Sequence, residues 1–124
     1  MAQKISVSVK TLLAKANSHI KTISVEEAYK NLGTNDNVFF DLRDIREIKR
    51  SGKIPGAFSC PRGMLEFWLD PESAYFKDGK LDLNKEMVLF CAGGLRSALA
   101  AKTLQDMGFD NVSHIDGGFG SLKQ

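Results

Sequence analysis

The chain has 124 residues, 43% hydrophobic and 26% charged, which suits one globular domain that buries about two-thirds of its unfolded surface. A formal net charge of +2 is too small to argue for nucleic acid or a membrane surface, neither of which is expected as a partner, and the densest basic stretch, Arg46 to Lys53, includes Glu47 and reads as a solvated helix face. No apolar run approaches the roughly 20 residues of a transmembrane helix, and the N-terminus lacks the features of a secretory signal, so a cytoplasmic location is expected.

Ile5, Val9, Leu12, Leu13, Ala16 and Ile20 recur at helical spacing and predict an amphipathic helix packed on the body. Residues 1–21 are read as this helix and 22–124 as the domain proper. Ile20 to Ile23 is a short first strand. In Ser24-Val25-Glu26-Glu27, Ser24 caps the next helix while Glu27 reaches back to the cap's amide; the helix runs to Leu32, with Gly33 as its stop. After the turn Asn35-Asp36-Asn37, Val38 to Leu42 reads as a buried strand. Asp44 to Arg50 is a short charged helix stopped near Gly52, and Ile54 to Phe58 is a turn, fixed by Pro55, that leads into an edge strand.

Arg62 to Asp70 and Pro71 to Phe76 are predicted as short helices, and Lys77 to Lys80 as a loop. Met87 to Phe90 is a continuous apolar run suited to a buried strand, and Ser97 to Met107 is rich in helix formers. Asn111 to Ile115 is a final strand, followed by Asp116-Gly117-Gly118, a tight turn, and a short terminal helix. Strands alternating with helices predict an α/β domain of three layers, α/β/α, around a mostly parallel sheet.

Between the apolar strand and its helix lies Cys91-Ala92-Gly93-Gly94-Leu95-Arg96. A thiol there sits at a strand's carboxyl end, facing a helix N-terminus, where open α/β sheets bind ligands and negative charge is favoured. An ordinary thiol has a pKa of about 8.5, and lowering it by about two units takes about 2.7 kcal/mol. A helix terminus supplies only about 0.3–1 kcal/mol. The remainder must come from converging backbone amides, which Gly93 and Gly94 permit, and from Arg96, whose fork also suits an oxyanion on a substrate. The competing reading is an inert buried cysteine whose glycines only let the strand turn.

These residues and their surroundings resemble the single-domain rhodanese family of sulfurtransferases. The resemblance runs from Thr22 onward. It takes in Phe40-Asp41-Leu42-Arg43 with Glu47, Gly52-Lys53-Ile54-Pro55-Gly56-Ala57, the Cys91 to Arg96 loop with Ser97-Ala98, and Gly117-Gly118-Phe119. It implies a parallel five-stranded sheet between helices and a sulfane sulfur carried on Cys91 as a persulfide. The amides of Ala92, Gly93, Gly94, Leu95, Arg96 and Ser97 would cradle that sulfur, and Arg96 would orient an anionic donor such as thiosulfate. The acceptor would be cyanide, a thiol or a protein thiol. The resemblance gives Asp41 and Arg43 a supporting role, fixing the loop through hydrogen bonds and a salt bridge to Glu47. Arg62 and Trp68 could wall the pocket, although helix packing suits Trp68 better. Lys53 and Leu122 depart from the family's common histidine and tryptophan.

Three other readings compete. A cysteine phosphatase would need a loop one residue longer than the four that separate Cys91 from Arg96. A persulfide relay to a protein partner would use the same loop. An interaction module would normally have lost the cysteine. Cys60 is either packed or a resolving thiol for Cys91, and His19 and His114 are assigned to surface or strand packing. No metal or organic cofactor is expected, and the oligomeric state is open.

Overall fold

Helices and strands alternate in the order α1 (Val9–Asn17), β1 (Lys21–Ile23), α2 (Val25–Asn31), β2 (Asn37–Asp41), α3 (Ile45–Ser51) and β3 (Phe58–Ser59). A 3-10 turn at Arg62–Met64 then leads into α4 (Leu65–Leu69), β4 (Glu86–Phe90), α5 (Leu95–Asp106), β5 (Val112–Ile115) and α6 (Gly118–Leu122). The structure, a computed structural model, describes residues 2–77, 79 and 81–122. Of the loop predicted at Lys77 to Lys80, Asp78 and Lys80 lie outside the described residues. Among the described residues no helix is long and apolar enough to cross a membrane.

The five strands form one parallel sheet in the order β1-β5-β4-β2-β3. β4 is central because Met87 to Phe90 are apolar on both faces and all fully buried. Alternate side chains feed two cores. On one face Phe40, Met87 and Leu89 pack with Leu65, Leu69, Ala100, Ala101 and Leu104. On the other, Ile23, Phe39, Val88, Phe90 and Ile115 meet Ala28, Phe119 and Leu122. The layers are therefore α4 and α5 on one side, with α1 packed on α5, and α2 and α6 on the other. Phe90 pairs with Asp41, so the chain segments leaving β4 and β2 emerge side by side at the carboxyl edge.

Three local expectations are corrected. The Ser8 hydroxyl accepts from the Thr11 amide and starts α1 there, which leaves Ile5 outside the helix at 81% exposure. At Ser24 only half of the capping box forms, the Glu27 amide donating to Ser24 Oγ; the complete box belongs to α3, between Asp44 and Glu47. Pro71 to Phe76 is a run of turns. Asp70 Oδ1 accepts from the Glu72 amide, and Ser73 Oγ takes the Tyr75 amide that a helix would give to the Pro71 carbonyl.

Candidate active site

α5 begins one turn after β4 ends, and Gly94 makes the join possible. Its φ of +96° is the left-handed conformation that only glycine adopts without strain. A Cβ there would press within 3.3 Å of the Gly117 amide nitrogen. The turn folds Cys91 back under the helix N-terminus, where Sγ accepts from the Gly94 amide at 3.2 Å and the Ser97 amide at 3.4 Å. Ser97 is the third residue of α5, so its amide has no carbonyl partner inside the helix; the sulfur takes the place of a cap. Ser97 Oγ lies 3.6 Å from Sγ. Cys91 is only 1% exposed, beneath the exposed Ala92, Gly93 and Leu95.

Burial pushes the Cys91 thiol up. Hydrogen bonds from the amide and hydroxyl of Ser97 and from the amides of Gly94 and Gly93 outweigh it, and the thiol ends below its ordinary value. Of the six loop amides expected to cradle a persulfide, those of Ala92, Leu95 and Arg96 make no hydrogen bond to the resting Cys91 sulfur.

α6 props the loop from behind. The Phe119 amide donates to the Cys91 carbonyl at 2.7 Å and the Gly120 amide to the Ala92 carbonyl at 3.1 Å. A side chain on Gly118, at φ +60°, would overlap the Cys91 carbonyl oxygen. The double glycine thus lets two backbones touch, a use beyond the simple turn expected of it.

Asp41 and Arg43 form a buried pair beside the loop. Arg43 Nε and Nη2 donate to the two Asp41 oxygens at 2.9 and 2.8 Å, Nη2 also to the Gly52 carbonyl, and the guanidinium lies 3.8 Å from the Phe119 ring centre. The expected salt bridge from this pair to Glu47 does not form. Glu47 instead holds Arg96 through two bonds of 2.9 Å. Arg96, first of all, lowers the Glu47 carboxyl to about 2 against the opposing effect of burial, helped by the Asp44 amide. Arg96, expected to meet a donor anion, is therefore neutralised within the chain.

Two concavities open beside the loop. One, of about 290 Å³, is lined by Arg43, Glu47, Arg50, Ser51, Ala92, Phe119 and Gly120. The other, of about 410 Å³, is lined by Asp44, Arg46, Glu47, Arg50 and Arg96. Arg50 borders both and makes no salt bridge among the described residues. Arg62 and Trp68 line neither. Arg62 binds Glu66 and Thr103, and Trp68 packs against Phe58 and beneath Lys77. Lys53 is exposed and lines neither concavity, and Leu122 is buried in the core beside α2.

Cys60 is a free, fully buried thiol that burial pushes up to about 12. His19 stays at the exposed end of α1, bonded to Ser18 and the Lys15 carbonyl. His114, assigned to surface or strand packing, is 3% exposed on β5, and its Nδ1 lies 2.9 Å from Ser97 Oγ, a contact the sequence does not reveal. Among the described residues no cluster of His, Cys, Asp and Glu could hold a metal ion.

Comparison with known proteins agrees with this architecture. Residues 24–124 match the rhodanese-like domain family. A mouse protein, thiosulfate sulfurtransferase/rhodanese-like domain-containing protein 3, is 29% identical over 80% of this chain and 66% of its own length. The tRNA uridine(34) hydroxylase of Photorhabdus laumondii is 28% identical over 77% of this chain, which spans only 26% of that protein. Among solved structures, a Rhodopseudomonas palustris protein of unknown function, possible tyrosine phosphatase, superposes with a TM-score of 0.92 at 54% identity, covering 99% of this chain and 94% of that one. A rhodanese-related protein from Thermoplasma volcanium gives 0.65 at 25% identity, covering 83% and 90%. With the family matched over β2 to β5, the Cys91 loop and the glycine pair that supports it, the chain belongs to the rhodanese-like domain family.

Proposed function

We propose that the protein is a sulfurtransferase that carries a sulfane sulfur on Cys91 as a persulfide. The observation that supports this best is the convergence of the Gly94 and Ser97 amides on Cys91 Sγ at the N-terminus of a 12-residue helix. That arrangement favours an anion on sulfur, which is the nucleophile the reaction needs. The amides of Leu95 and Arg96 open the first turn and have no acceptor within the helix, and the proposal gives them the second sulfur to hold.

In the first half of the cycle the Cys91 thiolate attacks the sulfane sulfur of a donor such as thiosulfate. A new S–S bond forms, the old one breaks, and its electron pair leaves with sulfite, giving a Cys91–S–S⁻ persulfide. In the second half a cyanide ion or thiolate attacks the outer sulfur, and the electron pair of the broken bond returns to Cys91 Sγ. Neither half consumes or releases a proton. Arg50 is the cation left to hold the donor's anionic end, since Arg96 is committed to Glu47. The name of the mouse relative supports thiosulfate as donor.

A phosphatase is the second reading, favoured by the likeness to the Rhodopseudomonas palustris protein, a possible tyrosine phosphatase. Two features weigh against it: only four residues separate Cys91 from Arg96, and the guanidinium that would clamp a phosphate is held by Glu47.

The test is intact-mass measurement after incubation with thiosulfate. Wild type should gain one sulfur atom that dithiothreitol removes, and Cys91→Ser should gain nothing. Folded wild type that takes up no sulfur, or that turns over an aryl phosphate, defeats the proposal.

A further inference from the structure

A line of polar groups leads away from Cys91 through the interior. Ser97 Oγ, 3.6 Å from Cys91 Sγ, lies 2.9 Å from His114 Nδ1, and His114 Nε2 lies 3.1 Å from Thr22 Oγ1. Cys91, Ser97 and His114 are buried, whereas Thr22 is exposed on β1, the edge strand beside β5. The chain joins four elements, β4, α5, β5 and β1, and its ends are 69 residues apart in sequence (91 less 22). A sulfur that is 1% exposed has little direct contact with water.

We propose that His114 and Thr22 are positioning residues for the Cys91 thiol, acting through the Ser97 hydroxyl to set its ionisation. With the thiol protonated, Cys91 S–H donates to Ser97 Oγ, Ser97 O–H to His114 Nδ1, and His114 Nε2–H to Thr22 Oγ1. Moving each proton one bond outward reverses every donor, and Thr22 releases one proton to water. The sulfur is then a thiolate that accepts from Ser97 O–H, Ser97 Oγ accepts from His114 Nδ1–H, and His114 Nε2 accepts from Thr22 O–H. Every group is hydrogen-bonded in both states, so neither leaves a buried polar atom unpaired.

The reversal requires a neutral imidazole, able to donate from one nitrogen while accepting at the other. Burial provides it by holding His114 below its ordinary value, against the opposing pull of Asp116. The charged groups facing this line are few. Arg96 of α5 acts on the sulfur, its charge balanced by Glu47 of α3, and Asp116 after β5 acts on His114. On β1, Lys21 is bound to Glu86 of β4, and α6 contributes no titratable group. Sensitivity to His114 therefore runs through the Ser97 hydroxyl.

The inference rests on Cys91 being the reactive thiol, and its test follows ionisation, not sulfur transfer. Thiolate ultraviolet absorbance is titrated in a Cys60→Ser background, with the Cys91→Ser protein subtracted. Ser97→Ala should raise the Cys91 midpoint by about one pH unit. His114→Leu should raise it by about half a unit to one unit, and His114→Asn, whose amide can still donate to Ser97, should recover at least half of that rise. Thr22→Val, at the exposed edge, should give a smaller rise in the same direction. An unchanged midpoint in folded His114→Leu overturns the proposal. If that variant does not fold, the decision passes to Thr22→Val, and no rise there overturns it equally. A protein that shows these shifts yet never gains sulfur refutes the sulfurtransferase reading alone.

Discussion

Replacing Glu47 by Gln removes one charge and keeps the capping box of α3, because glutamine serves at that position as glutamate does. The carboxylate accepts two bonds of 2.9 Å from Arg96 and one of 2.8 Å from the Asp44 amide. Led by Arg96, these partners bring the group from 4.5 to about 2. That depression of about 2.5 units corresponds to about 3.4 kcal/mol at about 1.36 kcal/mol per unit. The Arg96 side chain is 41% exposed, so solvent screening reduces the expected contribution to about 1–2 kcal/mol. The folded value lies below the unfolded one. The contribution is therefore complete above pH 4.5, falls as the pH drops towards about 2, and is absent below that. Urea denaturation of wild type and Glu47→Gln, followed by circular dichroism from pH 7 downwards, measures it. The stability gap should be about 1–2 kcal/mol at pH 7 and close across the acid window. A gap that persists unchanged at low pH would mean that shape, not charge, is lost; no gap at neutral pH would mean the pair contributes nothing.

Gly118→Ala should cost about 1–3 kcal/mol from the left-handed backbone alone, and more from the overlap with the Cys91 carbonyl. Thermal melting and sulfur uptake should fall together, and a variant with both unchanged would show that α6 does not support the loop. Arg43→Met leaves the Asp41 carboxylate buried without its guanidinium, and urea denaturation should register a loss of about 3–5 kcal/mol. Pairing it with Asp41→Asn should restore part of that loss; no recovery would place the cost elsewhere. At pH 8, iodoacetamide should modify Cys91 in the folded protein and leave Cys60, raised to about 12, untouched by peptide mass. Equal labelling of the two would contradict the ionisation order.

How much of this was legible follows from how far each feature reaches along the chain. Met87 to Phe90 declares a buried parallel strand by its unbroken apolar run, and the following glycines and helix formers declare a turn and a helix. That unit is contiguous, so thiol, turn and helix terminus could be placed together without coordinates. Pro71 to Phe76 was misread because Asp70 and Ser73 can bind amides in a turn as readily as cap a helix, and a proline at the first position suits both.

The partners of the site's charges were not legible. Arg96 meets Glu47 across 49 residues, although Arg43 stands four residues from Glu47 in sequence, and only the direction in which each side chain leaves its element selects one over the other. His114 reaches Ser97 because β5 lies beside β4 in the sheet, a neighbour relation that strand composition does not encode. Local backbone preference, written in consecutive residues, determined the strand, the turn and the thiol's seat beneath a helix. Packing of distant segments decided what surrounds that thiol, because hydrogen bonds and ion pairs depend on distance in space, which the one-dimensional order of residues leaves open.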